Sequence, residues 1–548
     1  MGLQVKRLSG WMMILLLPVA SLAATGRGDL RLVEAVKNRD KEAERSLLKQ
    51  HADVNVPQAD GATALHWAAR WDDLETADLL IRAGASVNAA NDYGVTALSL
   101  ACTNGNAAMV EKLLQAGANP NAAQWTGETP LMTCARTGNL DAVKSLLERR
   151  ADVNKETRRG QTALMWAAAE KRPEVARALI EHGANVNARS HLMEGFTPLL
   201  YVTYGLHEHV PGQFDTHEAE DFHPDPAASK GGFTPLLFAA KQGDVETARI
   251  LLAAGANGNH ASPEYGSALV VASANGHEAL AIFLLDKGAD PNVADGWGFT
   301  ALHYALREGI TAIGMSRPRI PTDRIWLRPN RPELVKALLA HGANPNARVG
   351  KGFPPFNYAP FARGDINNMP HLRQPGATPF LLAAASGDAG LLRALAAGGA
   401  DPRLSTEDGT TPLMVAAGLG RLQDRTEEEE KNALEAVKLA VELGADVNGA
   451  NKDGETALHG AAYRGANAII QFLADKGAKL EAKDRYGQTP LSIAEGDPAR
   501  LVDPRDKRFR GLKNEHKSTA ELLLKLGATP LTAPAAQSSG VVTANPNP

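Results

Sequence analysis

Among 548 residues there are two cysteines, Cys102 and Cys134, so neither a disulfide framework nor a cysteine-rich metal site can hold this chain together. Charge of one sign is missing as well. The 58 Lys and Arg stand against 62 Asp and Glu, a formal net charge of -4, which gives no bulk bias toward nucleic acid or an anionic membrane. After Leu22 no apolar run approaches the ~20 residues needed to cross a bilayer. Catalytic motifs are absent too. There is no H-E-x-x-H, and His217-Glu218-Ala219-Glu220-Asp221 falls short of one. No G-x-x-x-x-G-K-[ST] phosphate loop occurs, and Gly296-Trp297-Gly298 precedes a helical pattern without following a strand. Ser46-Leu47-Leu48-Lys49 has S-x-x-K spacing but none of its companion motifs. These absences predict a chain without catalysis or cofactor.

What is present is a period. Asn451 to Lys483 is a 33-residue stretch whose near-copies make up most of the chain. Asp453-Gly454 is a turn pair, and Thr456 is placed to cap a short helix from Ala457 to Tyr463. Arg464-Gly465 turns the chain into a second helix carrying Ile469, Ile470, Phe472 and Leu473, which Gly477 ends. Each helix has an apolar face that nothing in its own unit can cover, so the units must stack. The capping residue recurs as Thr63, Thr96, Thr129, Thr162, Thr197, Thr234, Ser267, Thr300, Thr378, Thr411, Thr456 and Thr489. Gly-Ala pairs beginning at Gly84, Gly117, Gly183, Gly255, Gly288, Gly342, Gly399, Gly444, Gly477 and Gly527 mark second-helix ends.

The pattern Gly-x-Thr-Pro/Ala-Leu-His-x-Ala-Ala followed by Leu-Leu-x-x-Gly-Ala resembles the ankyrin repeat, over residues 29 to 530. The expected fold is all-α, an ankyrin-repeat solenoid of about twelve stacked helix-turn-helix units with finger loops and several insertions. Residues 29 to 56 form a degenerate first unit whose charged residues suit a terminal cap. The resemblance implies that His66, His303 and His459 bond neighbouring units together and are not catalytic.

Lys6 and Arg7, the apolar run from Trp11 to Leu22 broken by Pro18, and Ser21-Leu22-Ala23 read as a secretory signal over residues 1–23. An exported, bacterial-type member of that family is therefore expected, periplasmic or secreted, without a membrane span once the signal is removed. Export permits a disulfide. However, Cys102 and Cys134 fall in the first helices of adjacent units, and stacking at ~8–10 Å predicts two free, buried thiols.

Repeats are expected over 24–204 and 232–530, with a boundary or bend at the Pro- and Gly-bearing segment 205–231. Insertions are expected at 310–331, 349–375, 419–432 and 496–516, and a disordered Pro-, Ala- and Ser-rich tail at 531–548. The insertions after Gly205, Gly309, Gly420 and Glu495 fall at the turn between first and second helix, so they leave one edge of the rod. Their charge alternates. They read as solvated loops, or alternatively as a second docking edge.

Two surfaces could bind a ligand. In ankyrin proteins the residues flanking the turn Gly and those before the inter-helix turn face outward, which here implicates Tyr93, Trp125, Phe196, Phe233, Tyr265, Trp297 and Phe299, with Trp71, Arg136, Tyr463 and Arg464. Phe233, Tyr265, Trp297 and Phe299 form either an aromatic strip or packing for adjacent insertions. Trp67, Trp166, Phe238 and Tyr304 read as core. The second surface is the segment with His207, His209, His217 and His223 among Glu208, Asp215, Glu218, Glu220 and Asp221, whose imidazoles and carboxylates suit Zn or Ni. The favoured expectation is a monomeric scaffold binding a protein or peptide along its concave face. A metal- or small-ligand-binding protein is the alternative, and no metal ligand is assigned.

Overall fold

The structure, a computed structural model, describes residues 29–191, 231–314, 330–350, 375–420, 426–496 and 516–530. It is an all-α solenoid: twelve helix pairs follow one another among the described residues, from Arg31–Lys37 with Lys41–Lys49 to Pro490–Glu495 with Lys517–Lys525. Each pair is made as its spacing dictates. Thr96 is extended (φ -110°, ψ 166°), its Oγ1 accepts from Ser99 N at 3.2 Å, and the helix Ala97–Asn104 begins. Gly105, at φ 71°, ends it in the left-handed region. The second helix has its own cap: Asn106 Oδ1 accepts from Met109 N, and Asp73, Asn139, Asp244 and Asp388 repeat the device.

First helices pack on first helices in an inner layer, and second helices cover them outside. The inner layer is built from small residues. Ala64, Ala68, Ala69, Ala101, Ala135, Ala167 and Ala168 are all buried, so neighbouring backbones approach closely. The first pair closes one end with Leu32, Val33 and Val36 buried and Arg31, Arg39, Glu42 and Arg45 exposed. Glu44 is buried there too, its Oε2 accepting from Thr76 Oγ1 at 2.7 Å and pairing with Lys41 Nζ at 3.3 Å.

Two hydrogen-bond ladders run along the stack. On the helix side, Asn55 Nδ2 donates to Gly84 O at 3.0 Å while its Oδ1 accepts from Ser86 N at 2.7 Å, one unit on. Asn88, Asn154, Asn187, Asn292, Asn346 and Asn448 repeat both bonds. Where Arg403 replaces the amide, its side chain turns to Asp401; where Glu481 does, only the acceptor half survives, from Thr529 N at 2.7 Å. On the finger side, each tip donates a backbone N–H to the preceding one: Asp92 to Asp60 O, Trp125 to Tyr93 O, Arg158 to Thr126 O, His191 to Arg159 O. Gly127 permits this approach, since it sits at φ +84° and a Cβ there would lie 3.0 Å from Arg158 N.

Several expectations change. The bend anticipated at 205–231 is not a break in packing: helix Pro235–Gln242 rests on Ala163–Ala169, and Asn187 makes the usual two bonds with Gly255 O and Asn257 N. The unit expected to begin at Phe196, and the histidine-bearing segment, lie outside the described residues. The expected insertion 419–432 is helical from Glu427 onward. Thr426 caps a sixteen-residue second helix, Glu427–Glu442, with Glu429 completing a capping box, so the four consecutive glutamates sit where the helix dipole favours them. The insertion expected from 310 begins as the helix Arg307–Gly314, which lies against Pro379–Ser386; at Gly309 a Cβ would fall 2.0 Å from Leu382 O.

Cys102 and Cys134 form a disulfide and are not the free thiols expected. The ~8–10 Å spacing of stacked helices is measured between their axes. Cα atoms stand ~2.3 Å off the axis, so facing positions approach to about 5 Å across an interface ~9–10 Å wide. The observed Cα–Cα distance is 4.7 Å. Closing a loop of sequence separation 32 is worth about 3–4 kcal/mol in the chain-entropy account. Changing both residues to Ala, the residue of neighbouring units at these places, is expected to lower the urea midpoint by a corresponding amount. Wild type equilibrated with reductant should converge on the variant, and no response to reductant would contradict the bond.

Candidate functional site

In three units the side chain just before the capping position lies against the fourth residue after the cap. Phe233 meets Phe238 (ring centroids 5.3 Å), Phe299 meets Tyr304 (5.5 Å), and Glu128 Oε1 accepts from Thr133 Oγ1 at 2.8 Å. Phe233 and Phe299 are therefore only 7% and 1% exposed, and Tyr265, two residues before the cap Ser267, is 4% exposed and packs edge to face on Phe233 at 5.2 Å. The aromatic strip expected on these fingers is internal packing. Trp297 is half-buried, its carbonyl accepting from Gly350 N at 2.6 Å.

The groove between fingers and inner helices is lined from the helix side by the fourth, seventh and eighth residues after each cap. Of the four aromatics read as core, Tyr304 and Trp166 are buried, whereas Trp67 and Phe238 are half-exposed to this groove. Trp67 Nε1 donates to Gln58 Oε1 of its finger at 2.9 Å. Trp71 lies 5.9 Å from Trp67 and is flanked by Arg39 (4.3 Å) and Arg70 (5.7 Å), with Lys37 over Trp67. Arg136 lies over the Trp166 ring at 5.2 Å and pairs with Glu128 at 3.5 Å. Farther along, Tyr463 donates to Gln488 Oε1, and the Arg464 stem covers Gly418, so both line the groove half-buried.

The finger tips are different. Tyr93 and Trp125 are 58% and 57% exposed on adjacent fingers, and Arg158 of the next lies 5.9 Å from the Trp125 ring. The structure thus brings Tyr93 with Trp125 and Trp71 with Arg39, while Phe196 lies outside the described residues. Arg39, Lys37 and Arg158 were missed. The signal for Arg158 was available, since it stands in the same finger place as Trp125.

His66, His303 and His459 do what the resemblance implied. Each ring accepts from the backbone N–H of its capping Thr through Nδ1 at 3.1 Å and reaches the next unit with Nε2, at Val95 O, Ala347 O and Gln488 O. Burial lowers the pKa of His66 and brings that of His303 to about 4. Beside it, Asp295 accepts from Tyr304 Oη at 2.6 Å and from Trp297 N and Phe299 N, yet burial still pushes its pKa up to about 6. Burial of Lys241 in the groove lowers its ammonium to about 8. No cluster of three or more His, Cys, Asp or Glu suited to a metal occurs among the described residues, and no described helix is long and apolar enough to cross a membrane.

A family profile described as "Ankyrin repeats (3 copies)" matches residues 32–124, 121–190, 216–295, 236–314 and 429–499, more than half of the chain. The chain is similar to the "E3 ubiquitin-protein ligase KEG" of Arabidopsis thaliana, 28% identical over 289 residues, which is 50% of this chain and 16% of that protein. It also resembles the "BRCA1-associated RING domain protein 1" of Caenorhabditis elegans, 38% identical over 93 residues, 17% of this chain and 12% of the relative. With the human "Ankyrin repeat, SAM and basic leucine zipper domain-containing protein 1" it shares 36% over 86 residues, 15% and 18% of the two chains. This chain thus spans less than a fifth of the length of each.

The paired shifts in one unit have a measurable consequence. His303, neutral in the fold and titrating near 6.5 when unfolded, withdraws stability as pH falls from about 6.5 toward 4. Asp295, protonated in the fold below about 6 but ionised down to 3.8 when unfolded, adds stability as pH falls through the same window. The two slopes, each up to ~1.4 kcal/mol per pH unit, nearly cancel. Asp295→Asn removes the compensation while keeping the shape, because Asn91 already accepts the equivalent pair of N–H bonds from Tyr93 and Val95. Urea titrations at pH 6, 5 and 4 are expected to show stability falling about 1 kcal/mol per pH unit more steeply in the variant. Equal slopes would contradict the assignment.

Proposed function

The chain belongs to the ankyrin-repeat family, and from that premise we propose that it is a monomeric binding scaffold that holds a protein or peptide on its fingers and groove and performs no reaction of its own. The observation that carries this is the pair of aromatics on adjacent finger tips, Tyr93 and Trp125, each more than half exposed, whereas Phe233, Tyr265 and Phe299 turn inward. Aromatics and Arg supply most binding energy at interfaces, and the Trp71–Arg39 and Trp166–Arg136 stacks place the same residue types in the groove beside them. The activities named for the relatives are not carried over, because this chain spans so little of each. Capture of partners from the source cell by the full chain tests the reading. Tyr93→Ala with Trp125→Ala should leave the urea midpoint within about 0.5 kcal/mol of wild type, as exposed positions do, and abolish recovery of at least one partner. Recovery of every partner unchanged would sink it.

The scaffold acts outside the cytoplasm, delivered by the signal at residues 1–23. Support comes from the buried Cys102–Cys134 bond, a kind that persists in oxidising compartments. The mature protein is expected to begin at Ala24 and to appear in the exported fraction. N-terminal sequencing that finds Lys6 and Arg7 retained on cytoplasmic protein would refute this.

A further inference from the structure

The four successive fingers between Asp60 and Arg158 carry an ordered set of exposed side chains. Asp60 stands on the first, Asp92 and Tyr93 on the second, Trp125 on the third and Arg158 on the fourth, all exposed. Among the described residues no carboxylate lies within ion-pair distance of Arg158, and no cation within that distance of Asp60 or Asp92. The two charged ends cannot neutralise each other. Three fingers at ~10 Å per step separate them by roughly 30 Å. The order is therefore anionic, aromatic, aromatic, cationic along one rigid edge. Its rigidity comes from the backbone bonds that join the tips, Asp92 N to Asp60 O at 2.9 Å, Trp125 N to Tyr93 O at 3.1 Å and Arg158 N to Thr126 O at 3.0 Å. Those same bonds use the tip carbonyls, so an incoming chain meets side chains here and not an open strand edge.

We propose that this edge binds an extended peptide segment of a partner protein that carries a basic residue and an acidic residue six to nine positions apart, with apolar residues between them. This rests on the reading that the fingers bind protein. The spacing follows from geometry: an extended chain advances ~3.3 Å per residue, about three residues per finger, so nine positions reach from Asp60 to Arg158 and six from Asp92. The cation lies over Asp60 and Asp92, the apolar side chains against Tyr93 and Trp125, and the carboxylate on Arg158, whose guanidinium is already close to the Trp125 ring. The bound segment can run in either chain direction. What the edge selects is opposite charge at the two ends.

The test uses the full chain and three labelled fourteen-residue peptides with blocked termini and the same Leu- and Pro-containing centre. One carries two Arg at one end and two Glu at the other, one carries Arg at both ends, and one carries Glu at both. Fluorescence anisotropy at low ionic strength should show the opposite-ended peptide binding roughly five- to ten-fold more tightly than either control, since exposed pairs contribute a few-fold each. The advantage should shrink as added salt screens it. In Arg158→Glu the doubly basic peptide should become the tightest of the three. Equal binding of the three peptides, or an unchanged order in Arg158→Glu, overturns the proposal. So does failure of all three on a chain that still captures its cellular partner through Trp125, an outcome that leaves the protein-binding reading standing. Loss of any Trp125-dependent capture is the failure of that reading itself.

Discussion

Everything in this molecule depends on burial between neighbouring units. Its helices are mostly seven to nine residues long, shorter than the ~12–15 residues at which an isolated helix begins to persist in water. Each contributes a face such as Leu65 and Ala68 or Ala77 and Leu80 that only the next pair covers, at ~1.5–3 kcal/mol for each fully buried large side chain. Hydrogen bonds of the asparagine ladder contribute about a third of that each, being exposed, and act mainly on register. They tie the end of one second helix to the next at a fixed height, and Asn187 does so with Gly255 and Asn257, far along the sequence, as Asn154 does with Gly183 and Asn185.

That rule of coverage also decides which side chains are left for binding. A side chain directed from the finger base onto the inner helix is absorbed by the stack, as Phe233, Tyr265 and Phe299 are. One at the tip has no neighbour above it, as with Tyr93 and Trp125. Polar groups follow the same division. Asp295, His303 and Tyr304 are buried within one unit, whereas Asp60, Asp92 and Arg158 stand exposed on the finger tips. The exposed edge of finger tips is thus a by-product of what stacking cannot reach, and it is this edge that the proposed binding would use.

The sequence by itself determined the repeating unit: the period, the capping Thr with Pro after it, the Gly ending each second helix, and the stacking that an uncovered face enforces. These are local instructions, legible because turn and cap chemistry depends on residues within a few positions. His66, His303 and His459 were legible for the same reason, as one role repeated at one place. The Asn of the ladder was equally visible and went unread, because its partners lie a full unit away.

Tertiary structure alone decided what depends on approach between units. Cys102 and Cys134 meet because facing Cα atoms stand closer than the axes of their helices. The stack closes across 192–230 because Asn187 finds Gly255 as readily as Asn154 finds Gly183. Phe233 turns inward while Trp125, two residues before its own turn glycine, stays out. A period assigns each residue a place in its unit, but the direction of its side chain and the distance to the next unit are set by packing, and a linear sequence carries neither.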